Sequence, residues 1–255
     1  MALRFAIVAA MQQELAALAS ALQLHAIEHH AGRAFHVGRL DGHEVVLVRS
    51  GIGKVAAAAT ALLLADRYAV DALVLTGVAG ALSPSVAVGD VVVARELLQH
   101  DMDASPLFKR HEVPLTGRAR FPTDADLSDA LLDAAVKALQ AERIGLDSSF
   151  AALGIGQPVV REGLVVSGDR FVCTAPERAA LRAELPDALA VEMEGAAVAQ
   201  ICHDCDLPFA VLRTVSDRAD HGAPLDFQRF VDEIAGPLNA AIVRRWLRDV
   251  PPVLA

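Results

Sequence analysis

Aromatic residues are scarce in this chain, at 4% of 255 residues, with a single tryptophan and a single tyrosine. Smaller aliphatic side chains must therefore build the interior, and the composition is 54% hydrophobic. Cysteine is equally rare. Cys173, Cys202 and Cys205 are too few and too clustered for a disulfide framework, which excludes the class of small disulfide-stabilised proteins.

Positive charge is also in deficit, because 23 Lys and Arg oppose 32 Asp and Glu, for a net charge of −9. Without a long basic run, a nucleic-acid backbone is not expected as the main partner. No apolar stretch is long enough to span a membrane. The N-terminal apolar run is short and contains Arg4, unlike a signal peptide. We expect a cytoplasmic protein with neither a nucleic-acid nor a membrane partner.

Short apolar runs rich in β-formers alternate with helical patterns along the whole chain. Predicted strands cover 4–10, 34–40, 43–50, 71–77, 89–100, 163–169 and 208–217, and predicted helices cover 11–22, 53–68, 124–142, 177–185, 194–205 and 227–247. The intervals 101–124 and 143–162 are predicted to be long connections. This alternation predicts an α/β fold whose mostly parallel or mixed sheet is covered on both faces. No linker divides the chain, so we predict one domain over 1–250 and a tail at 251–255.

Two short motifs suggest cofactors but are weak by themselves. Gly51-Ile52-Gly53-Lys54-Val55-Ala56 matches a relaxed dinucleotide-binding pattern, yet the preceding strand belongs to a hairpin, so a tight strand-to-helix turn is favoured. Cys202-His203-Asp204-Cys205 has metal-like spacing without a second ligand pair. We therefore expect buried thiols at a helix end, no metal and no cofactor.

Three apolar strands end in small or acidic residues. Thr76–Ala81 follows one strand, Ser167–Phe171 a second, and Ser216–Asp220 a third. Ligands of α/β sheets gather beyond the carboxyl ends of strands, and small residues let a ligand approach the backbone. These clusters predict the rim of a single pocket.

Six segments, in order and with compatible spacing, carry a family resemblance. They are AAMQQE (9–14), SGIGKVAAA (50–58), TGVAGAL (76–82), SGDRF (167–171), VEMEGAA (191–197) and RTVSDRAD (213–220). Together they resemble the 5′-methylthioadenosine/S-adenosylhomocysteine nucleosidase family of the purine nucleoside phosphorylase-like superfamily. The resemblance implies a three-layer αβα fold with a central mixed, twisted sheet. It also implies a homodimer in which a loop from the second subunit helps to close the pocket, and hydrolysis of 5′-thio-substituted adenosines to adenine and a 5-thioribose without a cofactor.

The resemblance also implies a role for each matching residue. Asp217 corresponds to the acid that protonates the leaving adenine, which requires a raised pKa. Glu14 corresponds to the glutamate that activates water, and Arg213 to an arginine near that water. Glu194 corresponds to the acceptor of the ribose hydroxyls, and Met193 packs on the sugar. We expect Glu194 to be held ionised by the amides of a helix that starts there, and Glu192 to form a structural salt bridge.

The remaining predicted contacts shape the substrate pocket. The backbone of Phe171 and Val172 matches the adenine-recognising segment, and Asp169 is expected to support that loop. The small-residue cluster at Thr76–Ala81 contributes Val78, Ala79 and Gly80. The predicted apolar site for the 5′-alkylthio group consists of Met11, Ile52 and Phe227, together with Leu107 and Phe108, which are assigned by position alone.

Some positions depart from the family pattern. MQQE stands where relatives often have MEEE, Val78 replaces a common serine, and the 101–124 and 143–162 segments diverge.

Three alternatives remain: a purine nucleoside phosphorylase, a hydrolase of another 5′-substituted purine nucleoside and a non-catalytic purine-binding protein. A phosphorylase needs a basic phosphate site, whereas AAMQQE supplies an acid and no arginine.

Overall fold

A computed structural model of the chain describes residues 3–217 and 227–250. The strands are β1 (Arg4–Ala9), β2 (Gln23–His30), β3 (Arg33–Leu40), β4 (His43–Arg49), β5 (Ala72–Ala81), β6 (Val91–Gln99), β7 (Arg120–Pro122), β8 (Val160–Ser167), β9 (Ala188–Glu192) and β10 (Phe209–Asp217). The helices are α1 (Gln12–Ala21), α2 (Lys54–Asp66), α3 (Ala125–Ala152), α4 (Ala175–Glu184), α5 (Gly195–Asp204), α6 (Phe227–Phe230) and α7 (Gly236–Asp249). None of these helices is long and apolar enough to cross a membrane.

All ten strands belong to one mixed sheet, in the order β10-β6-β8-β9-β5-β1-β4-β3-β2, with β7 paired to β6. β1 lies parallel between β4 and β5, whereas β3 and β2 continue the sheet as antiparallel strands. An additional pairing joins β10 to β5, so β5, β10, β6, β8 and β9 form a closed ring. The mixed sheet confirms the predicted fold class, but the ring was not predicted.

Two hydrophobic cores lie on opposite faces of the sheet. One contains Ala57, Ala61 and Leu64 of α2 together with Val198 and Cys202 of α5. The other contains residues of α1, α3 and α7, including the fully buried Trp246, whose ring lies 4.9 Å from that of Phe5 in an edge-on contact. Most other members are Ala, Val and Leu, as the shortage of aromatic residues requires.

Three strands, β2, β7 and β9, were missed because their sequences lack the usual signals. β7 has only three residues and lies inside the predicted connection over 101–124. β2 is exposed along nearly its whole length, so it shows no alternation of apolar and polar residues. Backbone pairing with β3 holds it in the sheet as an edge strand. β9 has only five residues and makes just two residue pairings with β5. A strand this short follows from pairing with distant neighbours, which local periodicity does not reveal.

The predicted connection over 143–162 is wrong in its first half, because α3 continues to Ala152. Phe150, near the end of that helix, packs with Phe230 and Ile234 in a small separate cluster.

The predicted closing helix is also divided, since a π-helical turn at Val231–Ala235 separates α6 from α7. Pro237 lies in the first turn of α7, where its missing N–H is tolerated.

Candidate active site

A largely apolar pocket opens where β5, β9 and β10 end. It encloses about 730 Å³ when the open space at its mouth is counted. Gly80 of β5 pairs with Asp217 of β10 on one side and with Val191 of β9 on the other. Closure of the ring therefore brings an acid from β10 beside the Met193–Glu194 bend that follows β9.

Most predicted site residues line this pocket. They are Met11, Glu14, Ile52, Val78, Ala79, Gly80, Phe171, Val172, Met193, Glu194, Asp217 and Phe227. Arg213 is not on the lining, because it lies fully buried behind the glutamates. The lining also includes Ala10, Arg170, Val191, Glu192 and Ser216, to which no substrate contact was assigned. Ser216 and Arg170 belong to the predicted rim clusters, and Ala10 and Val191 belong to the segments 9–14 and 191–197 that carry the family resemblance.

Leu107 and Phe108 do not line the pocket of their own chain, so the structure does not support that placement within one subunit. Leu107 is 84% exposed, in the connection between β6 and β7. The Arg218, Ala219 and Asp220 part of the third rim cluster lies outside the described residues, as does the 251–255 tail.

Glu14 lies in the first turn of α1 and is buried. Its carboxylate accepts hydrogen bonds from the backbone N–H of Met11 at 2.8 Å and of Val78 at 3.0 Å. Burial raises the pKa of this carboxyl, although nearby Arg213 and the backbone donors oppose the shift. The result is a fixed, poorly hydrated carboxyl at the pocket wall, suited to accept a proton.

Glu192 and Arg213 form a buried ion pair, which confirms the predicted salt bridge. The carboxylate of Glu192 also accepts hydrogen bonds from the backbone N–H of Glu194 at 3.1 Å and of Gly195 at 2.8 Å, and from the hydroxyl of Ser167. The N-terminus of α5 therefore stabilises Glu192, and the expectation that it stabilises Glu194 is wrong. The chain bends at Met193 and Glu194, and this bend directs the amides toward the earlier acid.

Glu194 precedes α5 and has weaker support. Its Oε1 accepts a hydrogen bond from the Gly53 N–H at 2.9 Å, and its Oε2 lies 3.4 Å from Arg213 Nη2. Burial and the charge of Glu192 raise its pKa to about 7, against the opposing effect of Arg213. Near neutral pH this carboxyl exists in both protonation states.

Arg213 links the three glutamates. Burial alone would lower its pKa, but Glu192, Glu194 and Glu14 outweigh that effect and raise it. Its Nη1 also donates to the Thr76 carbonyl at 3.3 Å. The guanidinium thus remains charged and balances part of the negative charge beside the pocket.

Asp217 is the last residue of β10 and is 6% exposed. The hydroxyl of Ser216 donates to its Oδ2 at 2.8 Å. The β10–β5 pairing places Asp217 beside Gly80, and its side chain lines the same pocket as Glu14 and Glu194. It is therefore a third acid available to a bound ligand.

The GIGK segment forms the tight turn that was favoured over a nucleotide-binding loop. Gly53 has a φ of +95°, a conformation that suits glycine, and its N–H holds Glu194. The Lys54 N–H donates to Asp169 at 2.8 Å, while the Lys54 ammonium pairs with Asp101 at 2.6 Å. Asp169 in turn donates its N–H to Asp101 at 2.8 Å, so it supports the loop before Phe171 as expected.

The two cysteines of the Cys202–Cys205 motif differ in exposure. Cys202 is buried in α5 and burial raises its pKa, whereas Cys205 is exposed, contrary to the expectation of two buried thiols. Across residues 3–217 and 227–250, no group of three His, Cys, Asp or Glu side chains could hold a metal ion.

The profile of the Phosphorylase superfamily matches residues 4–248. That match defines the class of protein to which the sheet and its pocket belong. A 5′-methylthioadenosine/S-adenosylhomocysteine nucleosidase of Shewanella pealeana is 35% identical over 248 residues, which are 97% of this chain and 100% of the relative.

Solved structures agree with these similarities. The nucleosidase of the same type from Neisseria meningitidis, in complex with methylthio-immucillin-A, superposes with a TM-score of 0.84 at 34% identity, covering 97% of this chain and 99% of that one. The corresponding Colwellia psychrerythraea structure, in complex with adenine, has a TM-score of 0.86 at 35% identity, covering 97% and 95%. The chain therefore belongs to the phosphorylase superfamily and, within it, to the 5′-methylthioadenosine/S-adenosylhomocysteine nucleosidase family.

Proposed function

We propose that this protein hydrolyses the N-glycosidic bond of 5′-methylthioadenosine and S-adenosylhomocysteine, releasing adenine and the corresponding 5-thioribose. One observation carries this function: Glu14, Glu194 and Asp217, from three distant segments, line the same pocket. Glycosidic cleavage needs an acid for the leaving group, stabilisation of a cationic sugar and an activated water. The three carboxyl groups can supply these needs.

Asp217 assists departure of the adenine. A proton donated or shared at N7 of the purine prevents the base from leaving as an anion. Asp217 is only 6% exposed, and the Ser216 hydroxyl orients its side chain. Phe171 and Val172, on the loop beside Asp217, are the proposed adenine contacts.

Glu194 and Met193 bind the ribose. In its ionised form Glu194 accepts hydrogen bonds from the sugar hydroxyls and stabilises the positive charge that develops on the ring. The Gly53 N–H and Arg213 hold this carboxylate in position. Glu192 does not contact the sugar in this proposal; it fixes Arg213 and the bend.

Glu14 activates the attacking water, and Arg213 orients the acids around it. The raised pKa of Glu14 makes it a better proton acceptor than an ordinary glutamate. Four carboxyl groups line the pocket, and the guanidinium of Arg213 already pairs with Glu192. A phosphate dianion would be repelled there, so water is favoured over phosphate as the nucleophile.

The 5′-thioether packs against Met11, Ile52 and Phe227, where burial of an apolar group is favourable.

Ile52 is 60% exposed and Val55 is 81% exposed on the neighbouring turn of α2. These exposed apolar side chains support a homodimer in which Leu107 and Phe108 reach the 5′ end of the partner's pocket. The location that we propose for it is the cytoplasm. Sedimentation velocity of the wild type and of Val55→Asp tests this assembly, and a monomeric wild type would contradict it.

Product analysis with 5′-methylthioadenosine, with and without inorganic phosphate, tests the reaction. We expect adenine and free methylthioribose at the same rate under both conditions. A phosphate-dependent sugar 1-phosphate would identify a phosphorylase instead. Absence of adenine in either condition, with tight binding of the nucleoside, would support the non-catalytic binding protein.

A further inference from the structure

A second, larger cavity adjoins the active-site pocket. It lies between α1, the start of β3 and the end of β4, and it encloses about 1530 Å³ including its mouth. The two cavities share Ala10, Met11 and Ile52 as wall residues. The second cavity is therefore adjacent to the predicted 5′ end of the active-site pocket.

The charges of the two cavities are opposite. Arg33, His36 and Arg49 line the second cavity, and no Asp or Glu is among its lining residues in the described part of the chain. The active-site pocket instead carries four carboxyl groups. In a chain of net charge −9, a cavity with two arginines and no acid is a local positive site.

Neither arginine is neutralised by a carboxylate. Arg33 is held rigidly by neutral acceptors, with its Nε donating to the Thr60 hydroxyl at 2.7 Å and its Nη1 to the Ala31 carbonyl at 2.7 Å. Its third bond, from Nη2 to the Ala56 carbonyl at 3.1 Å, also leaves the charge uncompensated. Arg49, at the exposed end of β4, makes no ion pair with the described acids.

The facing wall belongs to the start of α1. Gln12 and Gln13 occupy it, so the segment before the buried Glu14 adds no negative charge to the cavity. Their amide oxygens can accept hydrogen bonds from an ammonium group. One wall thus suits an anion and the other suits a cationic donor, a combination that matches an α-amino acid.

We propose that the second cavity is a subsite for the amino-acid end of the 5′ substituent, with Arg49 and Arg33 binding its carboxylate. This inference rests on the proposed hydrolysis of 5′-thioadenosines and adds a residue-level basis for substrate choice. The acidic active-site pocket repels a carboxylate, and the basic cavity attracts it. The tail is therefore directed away from the reacting sugar.

The test compares three substrates: 5′-methylthioadenosine, S-adenosylhomocysteine and the analogue of S-adenosylhomocysteine that lacks the carboxylate. In Arg49→Gln, we expect the ratio of kcat/KM for S-adenosylhomocysteine to that for 5′-methylthioadenosine to fall roughly tenfold, because a charge-assisted hydrogen bond is lost. The same ratio for the decarboxylated analogue should not change. Gln12→Glu, which places an acid on the facing wall, should lower the first ratio as well.

Arg39→Gln is the matched control, because Arg39 lies on the same sheet, is paired with Glu44 and does not line the cavity. An unchanged ratio in both Arg49→Gln and Gln12→Glu would overturn the subsite. An equal fall for the decarboxylated analogue would do so too. If the wild type cleaves none of the substrates, the proposed hydrolysis fails, and calorimetric binding of the same three nucleosides then measures the ratio independently.

Discussion

Glu192 and Glu194 are two positions apart in the chain, yet their electrostatic surroundings are opposite. Glu192 accepts hydrogen bonds from two backbone amides and from the Ser167 hydroxyl, and it forms an ion pair with the Arg213 guanidinium. Glu194 accepts a hydrogen bond from one backbone amide and makes a longer contact with Arg213. The first glutamate is therefore held by several partners, whereas burial and the charge of Glu192 raise the pKa of the second, which is available to substrate.

The raised pKa of Glu194 predicts a pH-dependent stability. Between its ordinary value of 4.5 and the folded value of about 7, the folded protein keeps a proton that the unfolded chain releases. This contribution to stability is complete below pH 4.5 and is lost as the pH rises through 7. The shift corresponds to roughly 3 kcal/mol.

We expect urea unfolding to show that the wild type loses about 2 to 3 kcal/mol more between pH 5 and pH 8 than Glu194→Gln does. Glu233→Gln, an exposed acid in an i,i+4 pair with Arg229, is the control and should follow the wild type. Parallel pH dependence in the wild type and Glu194→Gln would show that Glu194 is ionised throughout.

Asp217→Asn tests the acid. Loss of a positioned proton donor should lower kcat for 5′-methylthioadenosine by a factor of about 10² to 10⁴. The amide is nearly isosteric, so nucleoside binding should persist and can be measured by calorimetry. Asp206→Asn, in an exposed turn after α5, should retain wild-type kcat. Wild-type kcat in the Asp217 variant would remove this residue from the mechanism.

Among the elements, β5 leaves the space that the side chains of Glu14 and Arg213 occupy. A Cβ at Gly77 would overlap the Arg213 guanidinium and lie 2.6 Å from Glu14 Oε1. Both side chains are buried and held by several partners, so neither can move aside without losing hydrogen bonds. The glycine in this strand thus makes room for the charged cluster.

Gly77→Ala should therefore displace Glu14 or Arg213. We expect a loss of about 1 to 3 kcal/mol of unfolding free energy, typical of overpacking, and a fall of more than tenfold in kcat/KM. Gly156→Ala is the matched control, since nothing lies within 4 Å of a Cβ there. Wild-type activity in Gly77→Ala would show that the cluster tolerates rearrangement.

At the scale of the molecule, one sheet connects the exposed edge at β2 to the ring that carries the site. The hydrophobic cores on its two faces are built by segments from both halves of the chain. We propose on this basis that residues 1–250 act as one cooperative domain.

A single unfolding transition is therefore expected in denaturant. Trp246 is fully buried against Phe5, so its fluorescence reports one core, while far-UV circular dichroism reports the whole chain. The two probes should give the same midpoint. Separate midpoints would indicate two folding units.

Periodicity and strand-end composition were enough to predict an α/β fold with a mostly parallel or mixed sheet, and the three small-residue or acidic clusters at the rim of the pocket. These signals are local, because a buried strand and its terminal turn lie within one short segment. The family resemblance added roles for Glu14, Glu194 and Asp217. Local patterns did not reveal β2, whose exposed edge has no apolar alternation, or the continuation of α3 to Ala152.

Only the tertiary structure decided which charges meet. Closure of the ring by β10 places Arg213 against Glu192 and Glu194, and the turn at Gly53 supplies the amide that supports Glu194. Burial and neighbouring charges raise the pKa of Glu14 and of Glu194, and the burial comes from segments that are distant in the chain. The sequence alone therefore determined the fold class and the candidate acids, while the packing of distant segments decided which partners each acid has.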